Sequence, residues 1–268
     1  MPTITIANGV PTLGGTIASG DTLFVQGGSQ YIQTNVDQSG LTLGLVLVRV
    51  FGGFRGRFGS AATPFYSEIT DKFVNEAQAG DIYYKGKDGG DATPLIQHLG
   101  ESHFHFIDGT GTSVQTSAGQ FTVEDGAVVV SLYVGGGVVN VLNAGSATVP
   151  TLLEMEAGPN GVGGKCYTER SPTTATNKAG DLTLNGTGAI TTLNCEGPAS
   201  NSKTTIQNSG TITTANLLGH IPDLSTLENI VTITNTTINM SLPGAAEFLA
   251  NPKLTFTNTP TRRFSSGE

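Results

Sequence analysis

The sequence has little charge for its length. Lys and Arg together number 13, and Asp and Glu 21, so charged side chains make up 13% of 268 residues, about half the share in an ordinary soluble domain. The net charge at pH 7 is −8. A nucleic-acid-binding surface needs clustered cations that release counterions from phosphate, and an anionic membrane surface attracts a similar cluster. We therefore expect no nucleic-acid partner and no membrane partner.

Long apolar runs are also missing. The longest, LTLGLVLVRVF at residues 41–51, contains an arginine and is shorter than the ~20 apolar residues of a membrane-spanning helix. The opening MPTITIANGVPTLGG lacks the basic and apolar segments of a secretory signal peptide. We therefore expect synthesis in a cytoplasm without a signal peptide, and a soluble product.

The chain has two cysteines and no CxxC pair. So few cysteines, without the spacing of a metal or redox motif, fit a reducing compartment. We predict that Cys166 and Cys195 are buried free thiols, and a disulfide between them is the alternative.

Motifs that carry catalytic chemistry are absent as well. The sequence has no GxSxG elbow, P-loop or HExxH motif, and we predict a protein that is not an enzyme and has no cofactor. The alternative is a β-helix protein that binds or degrades polysaccharide, because two carboxylates can hydrolyse a glycosidic bond. The absence of Trp removes the usual platform for stacking sugars. This alternative would use Glu154, Glu156 and Glu169 as acid and base, with Tyr83, Tyr84 or Tyr167 as sugar contacts.

Glycine, by contrast, is abundant. The chain has 37 glycines, about twice the usual share of near 7%, and its polar residues are mainly Thr, Ser, Asn and Gln. This composition is typical of β-solenoids, β-sandwiches and fibre-like proteins, whereas helical enzymes rely on Lys and Glu surfaces.

A repeat near the C-terminus indicates which of these folds to expect. LNGTGAITTLN at residues 184–194 matches IQNSGTITTAN at residues 206–216 with an offset of 22, and TITNT from Thr232 matches TFTNT from Thr255 with an offset of 23. Such a period is the length of one β-solenoid coil, which buries its apolar face only against neighbouring coils. The repeat predicts an apolar ladder of Ile190, Ile212, Ile233 and Phe256, flanked by Thr191, Thr213, Thr234 and Thr257.

We therefore predict an all-β fold with a β-solenoid body at residues 106–260, a parallel β-helix-like stack with coils of about 19–23 residues. Farther upstream, Val123 is expected to align with Leu142. The stretch 156–180 is expected to interrupt the body as a long loop, and residues 261–268 to form a tail. The Thr rows resemble the faces of ice-binding proteins, although Thr is also an ordinary residue of an exposed strand.

Proline opens two segments near the C-terminus, PDLSTLENI at residues 222–230 and PGAAEFLAN at residues 243–251. Proline is favoured at the first position of a helix. Both segments are therefore predicted to form short helical turns between strands.

Residues 1–105 are predicted to form a separate β-rich module or end cap. Two short helices are expected within it, one beginning at Ser67 and one opened by Thr93 and Pro94 and closed by Gly100. The module also contains VRVFGGFRGRFG at residues 48–59, which concentrates arginine and phenylalanine.

Gly52 and Gly53 separate two β-like runs in this segment, as in a hairpin with a type I′ turn. We predict a hairpin in which Phe51 faces Phe54 and the arginines reach carboxylates. The alternative is single-stranded nucleic acid bound by arginine and aromatic stacking. The predicted docking residues are Arg49, Phe51, Phe54, Arg55, Arg57 and Phe58.

The sequence HFHF at residues 103–106 offers a metal-binding alternative to a plain polar face. His103 and His105 lie two residues apart, so on a strand they share one face, with Phe104 and Phe106 on the other. Three copies of this pair around a threefold axis would supply six ligands to one ion. The pattern resembles the HxH motifs at the axis of some trimeric phage fibre and spike tips.

Asp88 and Asp91 lie in the glycine-rich segment KGKDGGD. Their carboxylates could bind calcium, but the EF-hand spacing and its terminal Glu are missing. A solvated turn is the expected structure.

In overall style the chain, and above all the repeat at 184–260, resembles the β-rich decoration, head-fibre and tail-fibre proteins of bacteriophages. The resemblance implies a non-enzymatic role in the virion, as capsid cement or a fibre component. It also implies a trimer whose N-terminal module docks on the major capsid protein or a tail protein, with a host glycan as a further partner. A bacterial surface adhesin is an alternative that the missing signal peptide disfavours.

Overall fold

The computed structural model describes residues 3–7, 10–14, 22–26, 45–62, 64–66, 70–86, 93–142, 151–158, 161–207 and 210–264. The chain is all-β, and its parallel strands stack as a β-solenoid, as the repeat predicts. Within the described ranges no helix has the length and apolar character needed to cross a membrane. The elements in chain order are β1 (Thr3–Ala7), β2 (Val10–Gly14), β3 (Thr22–Gln26), β4 (Leu45–Val50), β5 (Arg57–Phe58), β6 (Phe65–Tyr66), β7 (Thr70–Asn75), β8 (Asp81–Lys85), β9 (Thr93–His98), β10 (His103–Thr116), β11 (Gln120–Val134), β12 (Val138–Val141), β13 (Leu152–Met155), β14 (Lys165–Thr168), β15 (Thr174–Asn177), β16 (Gly180–Leu184), β17 (Ile190–Cys195), β18 (Ser202–Ile206), β19 (Ile212–Leu217), β20 (Val231–Asn239), α1 (Ala245–Leu249), β21 (Leu254–Phe256) and β22 (Thr261–Arg263).

The chain divides into two compact units. The first comprises Met1–Ser131 with Gly137–Thr148, and the second comprises Leu132–Gly136 with Val149–Glu268. The boundary predicted at residue 105 falls inside strand β10, because the stacking of parallel strands continues through that position.

In the first unit, β3, β4, β7, β9 and the second half of β10 pair in parallel, each with the next. Alternate side chains of each strand point inward, so one residue from each coil contributes to a stacked core. The rungs of this core ladder are fully buried: Leu23, Val48, Phe73, Ile96 and Val114.

A second column of strands faces this ladder. β5 pairs with β8, and β8 pairs with the first half of β10, which places Phe58 against Ile82 and Ile82 against Phe104. Phe104 stacks on Phe121 with the ring centroids 5.1 Å apart. Burial of these aromatic rings provides much of the hydrophobic stabilisation of the unit.

The second unit repeats the same plan. The predicted apolar ladder is confirmed at each step, because Ile190 pairs with Ile212, Ile212 with Ile233 and Ile233 with Phe256. The second column consists of β14, β16 and β18, where Leu184 pairs with Ile206 as the repeat predicts.

Coils differ in length at their corners while their strands stay paired. Lys72 pairs with Leu95, 23 residues later, whereas Leu95 pairs with Ser113, only 18 residues later. The expected match of Val123 with Leu142 is wrong by one residue, since Val123 pairs with Val141. A shift of one residue reverses the face of every side chain, so the buried side chain at this rung is that of Val141.

Between β5 and β6 the chain leaves the stack for a short excursion. Phe58 pairs with Ile82 and Phe65 with Tyr84, both on β8. Seven residues of chain therefore span the distance of two residues on the partner strand.

The corners of the coils need glycine where the backbones approach closely. Gly80 has φ 89°, and a Cβ there would overlap the carbonyl oxygen of Gly56 in the preceding coil. Gly180 has φ 87° and meets Gly164 in the same way. A side chain at either position would have both an unfavourable φ and a steric clash.

One corner of the first unit contains a buried polar cluster. Asn75 and His98 pair across adjacent coils, and the Asn75 amide donates to Nδ1 of His98 at 2.9 Å and to the Ser102 hydroxyl at 2.8 Å. Nε2 of His98 has no hydrogen-bond partner among the described residues.

The second unit has a similar cluster. The Asn177 amide donates to the Thr204 hydroxyl at 3.0 Å, and that hydroxyl lies 2.8 Å from Nε2 of His220. Nδ1 of His220 donates to the carbonyl of Gly197 at 2.8 Å, so the neutral ring accepts from Thr204 through Nε2. Burial lowers the pKa of His220.

Several expectations for elements are corrected. The stretch 156–180 is not a structureless loop, because it contains the paired strands β14 and β15. Ser67 lies outside the described residues, and from Thr70 the chain forms the strand β7 in place of the expected helix. The helix expected at Thr93 is likewise replaced by the strand β9.

Near the C-terminus, one of the two predicted helical turns is present. The segment 243–251 contains α1, whereas the described residues of 222–230 form turns and one bridge between Thr205 and Asp223. The prediction for Cys166 and Cys195 is confirmed, since both are free and buried.

Candidate functional site

The segment VRVFGGFRGRFG does not form a hairpin. β4 pairs with β3 and β7, and β5 pairs with β8, so the runs on either side of Gly52 and Gly53 enter different columns. Neither glycine has a positive φ, which a type I′ turn would require at both positions. The glycines instead form a corner that turns the chain from one sheet to the next.

Most of the predicted docking residues are engaged within the chain. Phe54 and Phe58 are fully buried, so the prediction that they dock a partner is wrong. Arg49 forms a two-pronged ion pair with Glu76 at 3.0 and 2.8 Å, and its guanidinium carbon lies 4.9 Å from the ring centroid of Phe51.

Two arginines of the segment remain at the surface. Arg55 is exposed, and it lines a shallow depression with Arg57, Gly80 and Asp81. The Arg57 guanidinium lies 5.2 Å from the ring centroid of Tyr83. Docking through this segment therefore remains a prediction for Arg55 and for the partly exposed Arg49 and Arg57.

The two histidines of HFHF lie on the outer face of β10, as predicted. Phe104 and Phe106 are fully buried, whereas His103 and His105 are partly exposed. Because β10 runs parallel to β8, His103 lies opposite Asp81 and His105 opposite Tyr83. We call the surface formed by Asp81, Tyr83, His103, His105, Thr122 and Glu124 the histidine patch.

Contacts within the histidine patch hold both rings in place. Nδ1 of His105 lies 2.9 Å from a carboxylate oxygen of Glu124, and Nε2 lies 4.0 Å from Asp81. The His105 ring stacks on Tyr83 with the centroids 4.3 Å apart and the planes within 5°. Nε2 of His103 lies 2.8 Å from the Thr122 hydroxyl.

Electrostatics favour a neutral His103. Burial, and secondarily the neighbouring His105, lower its pKa from 6.5 to about 4, while Asp81 opposes the shift. A neutral imidazole keeps a lone pair available near pH 7, and that lone pair can accept a hydrogen bond or ligate a metal. The patch thus combines imidazole and carboxylate donors that can hold a cation.

Asp81 completes a possible ligand group that the sequence analysis did not identify. Asp81, His103 and His105 each offer one ligand atom, and these atoms lie within 4.8 Å of one another. Asp81 precedes His103 by 22 residues, the same offset as in the C-terminal repeat. Extending that period upstream would have placed this carboxylate beside the histidine.

The outer face of the second unit carries paired rows of small polar side chains. Eight residues form these rows, and we call them the Thr/Asn array: Thr174, Thr176, Thr192, Asn194, Thr214, Asn216, Asn235 and Thr237. The Asn194 amide donates to Thr176 at 3.0 Å, and the Asn216 amide donates to Asn194 at 2.9 Å. None of the eight residues is charged.

The carboxylates considered for glycoside hydrolysis lie in the second unit. Lys178 forms ion pairs with both Glu154 and Glu156. These contacts, chiefly the hydrogen bond to Glu154, raise the pKa of Lys178. Among the aromatic candidates, Tyr84 is fully buried in the first unit, and Tyr167 accepts a hydrogen bond from Asn185 at 2.6 Å.

Asp88 and Asp91, considered for calcium, lie outside the described residues. Among the described residues, a function can be based on the histidine patch, the Thr/Asn array and the surface at Arg55. Comparisons with models of protein families, with curated proteins and with solved structures find no match to this chain.

Proposed function

We propose that the chain is a non-enzymatic structural protein of a virus particle, a capsid decoration or fibre component that assembles with copies of itself. The Thr/Asn array supports self-assembly, because seven of its eight uncharged polar side chains, all but that of Thr176, are at least partly exposed on neighbouring parallel strands. The assignment to a virus particle follows from the resemblance to phage decoration and fibre proteins.

Burying the array in a subunit interface would cost little electrostatic free energy. Desolvating a charged side chain costs several kcal/mol unless it is paired, and the array has none to desolvate. Its amides already hydrogen-bond along the stack, from Asn216 to Asn194 and from Asn194 to Thr176. The seven members other than Thr176, which is buried, are at least partly exposed, so a second copy can contact them.

The first unit is the proposed docking end for a major capsid protein or a tail protein. Its exposed Arg55, beside Arg57, offers a cationic contact on a chain whose net charge is −8. An acidic groove on the partner would pair with these side chains.

The first test is the mass of the full-length protein in solution by multi-angle light scattering. We expect a trimer, as the resemblance implies. A strict monomer at protein concentrations up to about 100 μM would mean a dissociation constant well above the micromolar range. That result would contradict self-assembly through the array.

A matched pair of variants tests the surface itself. Thr214→Lys places a charge in the middle of the array, between Thr192 and Asn235, and should dissociate the oligomer. Thr183→Lys makes the same change on an outward position of the other sheet, in β16, and should leave the mass unchanged. Equal loss of the oligomer in both variants would point to another interface.

A further inference from the structure

We propose that Asp81, His103 and His105 bind one divalent transition-metal ion per chain, with all three protein ligands supplied by the same molecule. The three ligand atoms lie within 4.8 Å of one another on the outer face of the first unit. They come from two adjacent parallel strands, β8 and β10, whose pairing sets their spacing.

The spacing needs only a small adjustment to hold an ion. Metal–ligand bonds to imidazole nitrogen and carboxylate oxygen are about 2.0–2.2 Å, which places neighbouring ligand atoms about 3.0–3.5 Å apart. Nε2 of His105 and the Asp81 oxygen are 4.0 Å apart. Side-chain rotation of Asp81, which is 42% exposed, can close this gap without moving either strand.

The surroundings of His105 are those of a metal ligand. A carboxylate that accepts a hydrogen bond from one ring nitrogen fixes the tautomer and leaves the other nitrogen to the metal. Glu124 occupies that position at Nδ1, at 2.9 Å, and Nε2 is directed toward Asp81. Tyr83 stacks flat on the ring and restricts its rotation.

The donor set indicates the class of ion. Two imidazoles and one carboxylate on one side of an ion suit Zn²⁺, Fe²⁺, Co²⁺ and Ni²⁺, whereas Ca²⁺ and Mg²⁺ prefer oxygen ligands throughout. Three protein ligands leave coordination positions open for water or for a group from a partner. Because the patch lies on the outer face of its sheet, those open positions face outward.

This site differs from the axial site expected from HFHF alone. In an axial site, two histidines from each of three chains would surround one ion, at one ion per three chains. With Asp81 as third ligand, one chain provides a half-shell by itself, and the stoichiometry is one ion per chain.

The test is titration of the full-length, chelator-treated protein with Zn²⁺ by isothermal calorimetry and with Co²⁺ by visible absorption. We expect one ion per chain, a d–d band for Co²⁺, and a rise in the unfolding temperature with Zn²⁺ because the ion binds only the folded state. Saturation at one ion per three chains, or no Zn²⁺ binding at millimolar concentration, would overturn the proposal.

Asp81→Asn removes the charged ligand with little change in shape and should weaken Zn²⁺ binding at least tenfold. Glu124→Gln should weaken it by about 10–100-fold through the orientation of His105. The matched control is Asp181→Asn, because Asp181 follows Gly180 at the same corner of the second unit as Asp81 follows Gly80, but lies opposite Lys165 and Lys203.

We expect Asp181→Asn to keep the wild-type affinity within twofold. Equal weakening in both aspartate variants would show binding by general surface charge and would overturn the assigned site. Far-ultraviolet circular dichroism of each metal-free variant establishes that the stack is intact, so lost binding can be assigned to the missing ligand.

Discussion

At the scale of single residues, the buried polar cluster of Asn75, His98 and Ser102 makes the stability of the first unit sensitive to acid. His98 is fully buried between Asn75 and Thr116 of the adjacent coils. Burial, and secondarily the charge on His103, lower its pKa from 6.5 to about 4. The folded protein therefore keeps this imidazole neutral well below the pH at which an exposed histidine takes up a proton.

This shift predicts a loss of stability in mild acid. Between about pH 6.5 and about pH 4 the unfolded chain binds a proton at His98 that the folded chain excludes, so stability is present above this window and falls as the pH is lowered through it. The slope is about 1.4 kcal/mol per pH unit, and the total is about 3 kcal/mol. Urea unfolding of the metal-free protein across this range should show a shallower slope in His98→Gln than in the wild type, by about one proton. An unchanged slope would assign the acid sensitivity to other groups.

The corner glycines give a second prediction at this scale. Gly80→Ala forces a non-glycine residue to φ 89° and drives its Cβ into the carbonyl of Gly56, so we expect a loss of at least ~2 kcal/mol in the free energy of unfolding. Gly53→Ala is the control, because a Cβ there has no atom within 4 Å and φ is not positive. Comparable losses in both variants, measured by urea unfolding, would contradict this account of the corner.

At the scale of elements, each coil depends on the rungs above and below it. Ile212 is fully buried and lies between Ile190 and Ile233. We expect Ile212→Ala to cost about 2–5 kcal/mol, because the cavity opens between two coils that cannot both collapse into it. Ile230→Ala removes the same atoms from a side chain that is 63% exposed and should change stability by less than about 0.5 kcal/mol. Thermal or urea unfolding of the pair measures the difference.

The same elements show which parts of the fold the sequence could predict. The Ile190–Ile212–Ile233 register was predictable because the repeat compares one coil directly with the next. The hairpin at Gly52 and Gly53 was not, because a glycine pair signals a turn and does not tell which strand follows as partner. The prediction of a helix at Thr93 is wrong for a related reason, since pairing with β7 and β10 overrides a local capping signal.

The candidate site was predictable in part. Alternation along β10 places His103 and His105 on one face from their spacing alone. The residues around HFHF do not indicate Asp81, which the pairing of β8 with β10 brings there; only the 22-residue period, extended upstream, would have identified it. The Thr/Asn array was not predicted, because the expected row of Thr191, Thr213, Thr234 and Thr257 shares no residue with it. Its amide hydrogen bonds depend on the exact register of β15, β17 and β19.

At the scale of the whole molecule, the reactivity of the buried thiols Cys166 and Cys195 measures how readily the second unit opens. Cys166 and Cys195 are buried in β14 and β17, and burial raises the pKa of each to about 12. Because the thiolate is the reactive form, we expect no labelling by a thiol reagent at about pH 8 in the folded protein and complete labelling in urea. An exposed Thr187→Cys in the same unit should react at once, and labelling of the wild-type thiols without denaturant would contradict a closed stack.

The excursion between β5 and β6 shows how the molecule tolerates added chain. The chain from Phe58 to Phe65 is five residues longer than the facing segment of β8, yet Phe58 and Phe65 both remain paired with that strand. Ala61 and Ala62 at its tip are exposed. A foreign peptide grafted at this point would be displayed outside the stack without shifting the register of any strand, which makes the coil corners the natural sites for epitope insertion in this protein.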